Sequence, residues 1–173
     1  MKIKINDGSL SEKVIELLVE QMAEELYNHN LYMTFANYFK TKGLEDLVSY
    51  FQIRGLEEYE HHRWIADYLN ENLVSYTYPA IDDVAESIDD DLAPFELTVE
   101  VELDTTKGIY EILDAAIEAH DYKTVAWLNA EGKLIQEQIE EEHVSKVILE
   151  IAKQEDSWIS KASAIRAAYE KIS

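Results

Sequence analysis

Cysteine is absent from all 173 residues, which excludes a disulfide framework, a thiolate metal site and a cysteine nucleophile. Proline occurs twice and glycine five times. So few breakers argue against a turn-rich β fold and favour long helices. Positive charge is also scarce: 15 Lys and Arg against 36 Asp and Glu leave a formal net charge of −21. A surface of that sign repels nucleic-acid phosphates and anionic membranes, so neither nucleic acid nor a membrane is expected as a partner. Its natural partners are cations. No apolar run reaches the roughly 18 residues a membrane helix needs, and Met1–Gly8 carries two lysines but no apolar h-region. A soluble protein of the cytoplasm is expected. Apolar residues nevertheless make up 47% of the chain, and its length suits one domain over residues 1–173 with a substantial core.

Ser9-Leu10-Ser11-Glu12 reads as a capping box opening a helix that runs to about Lys40 and stops at Gly43. A second helix is expected from Leu44 to about Asn72, with Phe51, Leu56, Trp64, Ile65 and Leu69 among its apolar positions. Residues 73–92 hold Pro79, several Asp and no convincing period. A connection of roughly twenty residues is long for a compact domain. Two helical hairpins joined by a single long crossover, as in a four-helix bundle, account for it. Pro94 suits the first turn of a third helix running to about His120. A fourth is expected from about Lys123 to Lys153, interrupted near Gly132, and Ser157 caps a short fifth helix. The expected fold class is all-α: a four-helix bundle with one long crossover and a short fifth C-terminal helix.

The most informative run is Glu57-Glu58-Tyr59-Glu60-His61. Glu58 and His61 are three apart and so project from one helix face, and a carboxylate with an imidazole is an oxygen-plus-nitrogen set that suits iron. Each other long helix carries a candidate in its middle: Glu25 with Tyr32 seven residues on, Glu102 followed by Thr106 and Ile109, and Gln138 with Glu141. Singly, each has an ordinary explanation. Glu25 belongs to an acidic group with Glu20 and Glu24, Tyr32 could simply fill the core, and Glu102 lies among Glu96, Glu100 and Asp104. Gln138 and Glu141 sit in the charged run Glu137–Glu142. Together, four helices that each offer a carboxylate to one core match the arrangement of di-iron carboxylate bundles. Buried anions in such number need a metal pair to be tolerable. On the fourth helix, Leu134, Ile148, Leu149 and Ala152 define an apolar arc that contains Glu141, with Gln138 near its edge and His143 roughly opposite. The second E-x-x-H, Glu140 to His143, is therefore expected to face outward.

On these residues the chain resembles a non-haem prokaryotic ferritin of the bacterial type. The resemblance is carried by Glu20-Gln21-Met22-Ala23-Glu24-Glu25-Leu26-Tyr27, by Glu57 to His61, by Phe95-Glu96-Leu97-Thr98-Val99-Glu100-Val101-Glu102 and by Glu137-Gln138-Ile139-Glu140-Glu141-Glu142. It implies a first iron site of Glu25, Glu58 and His61, and a second of Glu58, Glu102 and Glu141, with Glu58 bridging and Gln138 nearby. Tyr32 would be the family's tyrosine beside the pair, and Glu57, Glu137 and Glu140 the acids of a third iron site. The resemblance further implies a ferroxidase: two Fe(II) per subunit are oxidised by O2, and the product is stored as Fe(III) oxide mineral in a hollow 24-subunit homo-oligomer. No haem is expected. The region Asn129-Ala130-Glu131-Gly132 is about three residues longer than the family usual, to be absorbed by a bulge or loop.

Three rival readings remain. A rubrerythrin- or bacterioferritin-like oxidoreductase would want two E-x-x-H pairs turned inward, a Dps-type cage would hold iron between subunits, and an acidic helical scaffold would have no redox site.

Overall fold

The computed structural model describes residues 9–84 and 88–172, so the Met1–Gly8 reading lies outside the described residues. Six helices follow one another: α1 (Glu12–Thr41), α2 (Glu45–Glu71), α3 (Ala93–Glu118), α4 (Tyr122–Leu128), α5 (Leu134–Ala152) and α6 (Trp158–Ile172). No strand occurs among the described residues. The all-α bundle with its long crossover and short C-terminal helix is thus present.

Local chemistry sets the helix ends. Ser11, not Ser9, caps α1, its hydroxyl accepting from the Val14 N–H at 3.2 Å. Ser11 wins because the helix begins at Glu12, which leaves Ser9 outside the first turn. Asp90 accepts from the backbone N–H of Leu92 and Ala93 and so opens α3, with Pro94 in its first turn. The expected fourth helix is divided into α4 and α5 by a loop whose Gly132 has φ +64°. A side chain is strained in that left-handed conformation, which suits glycine to this turn. Ser157 caps the start of α6 by accepting from the Ser160 N–H at 3.2 Å.

The α1–α2 hairpin packs against the α3–α5 pair through α1 and α3, while α6 lies on α2 and α5. The core forms two apolar clusters, one at each end of the bundle. One joins Leu31–Phe39 of α1, Leu47–Phe51 of α2, Phe95 and Val144–Ala152 to α6. Phe39 stacks on Phe51, and Phe95 stacks on Trp158. The other joins Val14–Met22, Ile65–Leu69, Ile109–Ala116, Leu128 and Leu134. Leu56 departs from expectation: it is 60% exposed, because it falls on the face of α2 that points away from both clusters. Between the clusters each long helix turns polar on its buried face. The residues are Gln21, Glu25 and Asn28 on α1, Arg54, Glu58 and His61 on α2, Thr98, Glu102 and Thr105 on α3, and Gln138, Glu141 and Ser145 on α5. The apolar ends fix the helices and leave this polar layer at mid-height.

Candidate metal centre

Within the layer, acids and histidine converge at two places. Ligand atoms of Glu25, Glu58 and His61 all lie within 4.8 Å of one another, as do those of Glu58, Glu102 and Glu141. All five residues are buried. Glu58 is common to both triads, and its two oxygens face different ways. Its Oε2 is 3.6 Å from Nδ1 of His61, and its Oε1 is 4.0 Å from Nη2 of Arg54. His61 Nδ1 is also 3.7 Å from Glu25 Oε2 and 3.8 Å from Glu141 Oε2. Those separations exceed hydrogen-bond length.

Four carboxylate oxygens here have no hydrogen-bond partner although they are buried: Glu25 Oε2, both oxygens of Glu58, and Glu141 Oε2. Buried acceptors are almost always paired, so such orphans, all belonging to the two triads, are suited to a cation. Hard carboxylate oxygens and one imidazole fit iron. The electrostatics agree. Burial, then Glu102 and Glu141, push the Glu58 carboxyl well above the usual carboxylate range. Burial pushes Glu141 up to about 7 against the pull of Arg54 and His61. Burial alone would lower His61, but Glu141, Glu25 and Glu58 overcome it and hold the ring well above its ordinary value. For Glu25, burial is outweighed by His61 and the Gln21 amide, which hold it below the usual range.

The surrounding side chains orient the ligands. Gln21 donates to Glu25 Oε1 at 2.8 Å. Tyr32, fully buried, donates its hydroxyl to Glu102 Oε1 at 2.5 Å. Gln138 donates to Glu102 Oε2 at 2.8 Å and to the Glu102 carbonyl at 3.1 Å, so it acts on Glu102. Glu57, Glu137 and Glu140 line one cleft of about 40 Å³ with Arg54, Glu141 and Tyr169. They do not converge as the two triads do. Glu57 instead accepts from Tyr169 at 2.6 Å and from Arg54 at 3.0 Å. His143 is exposed, as its phase on the helix requires.

Sequence reasoning passed over Arg54, Gln21 and Tyr169. Arg54 lies four residues before Glu58 on the same helical face, a spacing that an exposed helix ion pair shares. Gln21 likewise precedes Glu25 by one turn. Tyr169 comes from α6, and nothing in its local sequence ties it to Glu57.

The chain matches the ferritin-like domain family model over residues 15–154. It is 31% identical over 141 residues to a Haemophilus influenzae protein named a probable bacterial non-heme ferritin-like protein, covering 82% of this chain and 84% of the relative. A Staphylococcus saprophyticus bacterial non-heme ferritin is 29% identical over 133 residues, covering 77% of this chain and 78% of that protein. Among solved structures, an open pore ferritin from the hyperthermophilic archaeon Archaeoglobus fulgidus superposes with a TM-score of 0.83 at 28% identity, over 92% of this chain and 98% of that one. With its helices, crossover and buried carboxylate layer in place, the chain belongs to the ferritin family.

Proposed function

We propose that this protein stores iron in the cytoplasm, oxidising Fe(II) with O2 at the two buried triads and holding Fe(III) oxide mineral inside a hollow homo-oligomer. The observation that carries the reading is the pair of triads sharing Glu58, with four buried carboxylate oxygens that lack a protein partner. The relatives named as ferritins support iron as the cargo.

Fe(II) is the substrate. Glu25, Glu58 and His61 take one ion; Glu58, Glu102 and Glu141 take the other, with Glu58 bridging through its two oppositely facing oxygens. Each Fe(II) gives up one electron to a shared dioxygen, which takes up two protons from solvent and leaves as hydrogen peroxide, and the clustered carboxylates favour the more highly charged Fe(III). Tyr32 and Gln138 hold Glu102 in place through the step. Glu57, Glu137 and Glu140 give Fe(III) an acidic way out and a third binding position. Apolar residues left exposed on α2, Ile53, Leu56 and Tyr59, support assembly with further copies, and the family resemblance points to 24.

Stopped-flow absorbance after mixing apo-protein with two Fe(II) per chain in air tests the reading. Wild type should give a fast transient that saturates. In Glu58→Ala, which empties both triads of their shared ligand, the fast phase should slow by more than about a hundredfold while assembly persists. Equal rates in the two proteins would sink the reading and leave an acidic scaffold.

A further inference from the structure

The second triad already contains a cation. Arg54 is 2% exposed, and its guanidinium meets all three carboxylates of that triad. Nη2 lies 2.5 Å from Glu102 Oε1 and 4.0 Å from Glu58 Oε1, and Nη1 lies 2.8 Å from Glu141 Oε1. The first triad holds no guanidinium: its nitrogen donor, His61, is itself one of the three ligands, and its Nδ1 stays 3.6 Å or more from each carboxylate around it. The two triads share a ligand but differ in whether they are open.

A guanidinium fork suits two carboxylates at once, and it replaces part of the charge a metal would supply. It is monovalent, however, and it holds one oxygen of Glu102 and one of Glu141. A divalent ion bound by carboxylate sits about 2.0–2.2 Å from each oxygen. Glu102, with Oε1 held by Arg54 and Tyr32 and Oε2 held by Gln138, therefore has no free oxygen for a metal while Arg54 stays in place. Arg54 also has somewhere to go. Its Nη1 is already 3.0 Å from Glu57 Oε2, and the cleft beyond is lined by Glu57, Glu137, Glu140 and Tyr169. Its Nε is buried without a partner, so the side chain is not tied down on every donor. A guanidinium leaving the triad would move from one acidic surrounding to another.

We propose that Arg54 is a built-in counter-cation of the second triad, which the second metal must displace into the acidic cleft. The inference rests on the two triads being metal sites, and it adds an order of filling. The first triad, with no guanidinium in it, fills first. The second fills only as Arg54 withdraws toward Glu57, which it already touches. Before metal arrives, the same guanidinium offsets the mutual repulsion of Glu58, Glu102 and Glu141. Arg54 is a positioning and selectivity residue rather than a ligand.

Anaerobic calorimetric titration of the assembled apo-protein with Co(II), followed in parallel by visible absorption, tests the proposal without turnover. Wild type should bind two Co(II) per chain in steps, the second weaker. In Arg54→Gln the second step should tighten by about tenfold or more, because no buried ion pair has to be broken, while the first changes little. The Arg54→Gln apo-protein should melt at lower temperature than wild type and recover on adding Co(II). Arg54→Lys keeps the charge but loses the fork, so its second step should fall between the two; it decides the question where Arg54→Gln does not fold. A second step of unchanged affinity in the folded variants overturns the Arg54 proposal and leaves the metal sites standing. Absence of Co(II) binding to wild type overturns both.

Discussion

Glu102 is gripped by three donors at once: the Tyr32 hydroxyl at 2.5 Å, Arg54 at 2.5 Å and the Gln138 amide at 2.8 Å. That redundancy sets what removing one of them does. In Tyr32→Phe, Glu102 Oε1 keeps Arg54, so no buried acceptor is orphaned, and the stability cost should be about 1 kcal/mol in a denaturant titration rather than the larger penalty of an unpaired group. Fe(II) oxidation should slow a few-fold, as expected for a residue that orients a ligand. Complete loss of oxidation in Tyr32→Phe would instead make Tyr32 a ligand itself. Glu25, Glu58, His61, Glu102 and Glu141 were legible because carboxylates and histidine at helical spacing are uncommon on an apolar face. Arg54 was not, because an arginine one turn from a glutamate also describes an exposed helix ion pair, and only the packing of α3 and α5 against α2 encloses it.

At the level of elements, the ends of the helices were mostly readable, since caps and breakers act over a few residues. The exceptions have local causes. Leu73, just past the C-terminal end of α2, adopts φ +57° and is 93% exposed. A leucine there bears the steric cost of the left-handed region and buries nothing in return. Leu73→Gly should raise stability by about 1 kcal/mol, read as a higher denaturant midpoint for the isolated subunit; an unchanged or lower midpoint would show that the turn is held by more than its backbone. The α4–α5 break shows a different tolerance. Asp121 caps α4 and Trp127 stacks on Tyr68 at 4.1 Å, so α4 is anchored to α2 on its own account. The loop around Gly132 then resets the chain, and α5 still delivers Gln138 and Glu141 to the interior.

Over the whole molecule, two apolar clusters hold the bundle at its ends, and the charged layer lies where both grip it. This arrangement tolerates buried anions because the clusters position the helices independently of the site. The outer surface carries its own message. Leu56, Ile53 and Tyr59 are exposed on α2, with Tyr78 of the crossover close to His62. Burying such a side chain between copies contributes about 1.5–3 kcal/mol at each interface. Native mass spectrometry should therefore find wild type as a large closed multiple of the 20.0 kDa chain, and Leu56→Arg as smaller species with intact helices by circular dichroism. A Leu56→Arg protein of unchanged mass would place the interfaces elsewhere.

What the sequence alone determined is the class of protein: all-α, with a long crossover, no thiol chemistry, and one carboxylate on the inner face of each of four helices. Those properties depend on composition, on caps, and on periods of three and four residues, all of which are local. Tertiary structure alone decided which groups surround and hold the carboxylates. It set the two oxygens of Glu58 toward two different triads, left Glu57, Glu137 and Glu140 around a cleft, and brought Tyr169 from the last helix onto Glu57. It also laid Arg54 across the second triad. These are distances between residues far apart in the chain, and they are fixed by how helices pack, which no spacing within a single helix encodes.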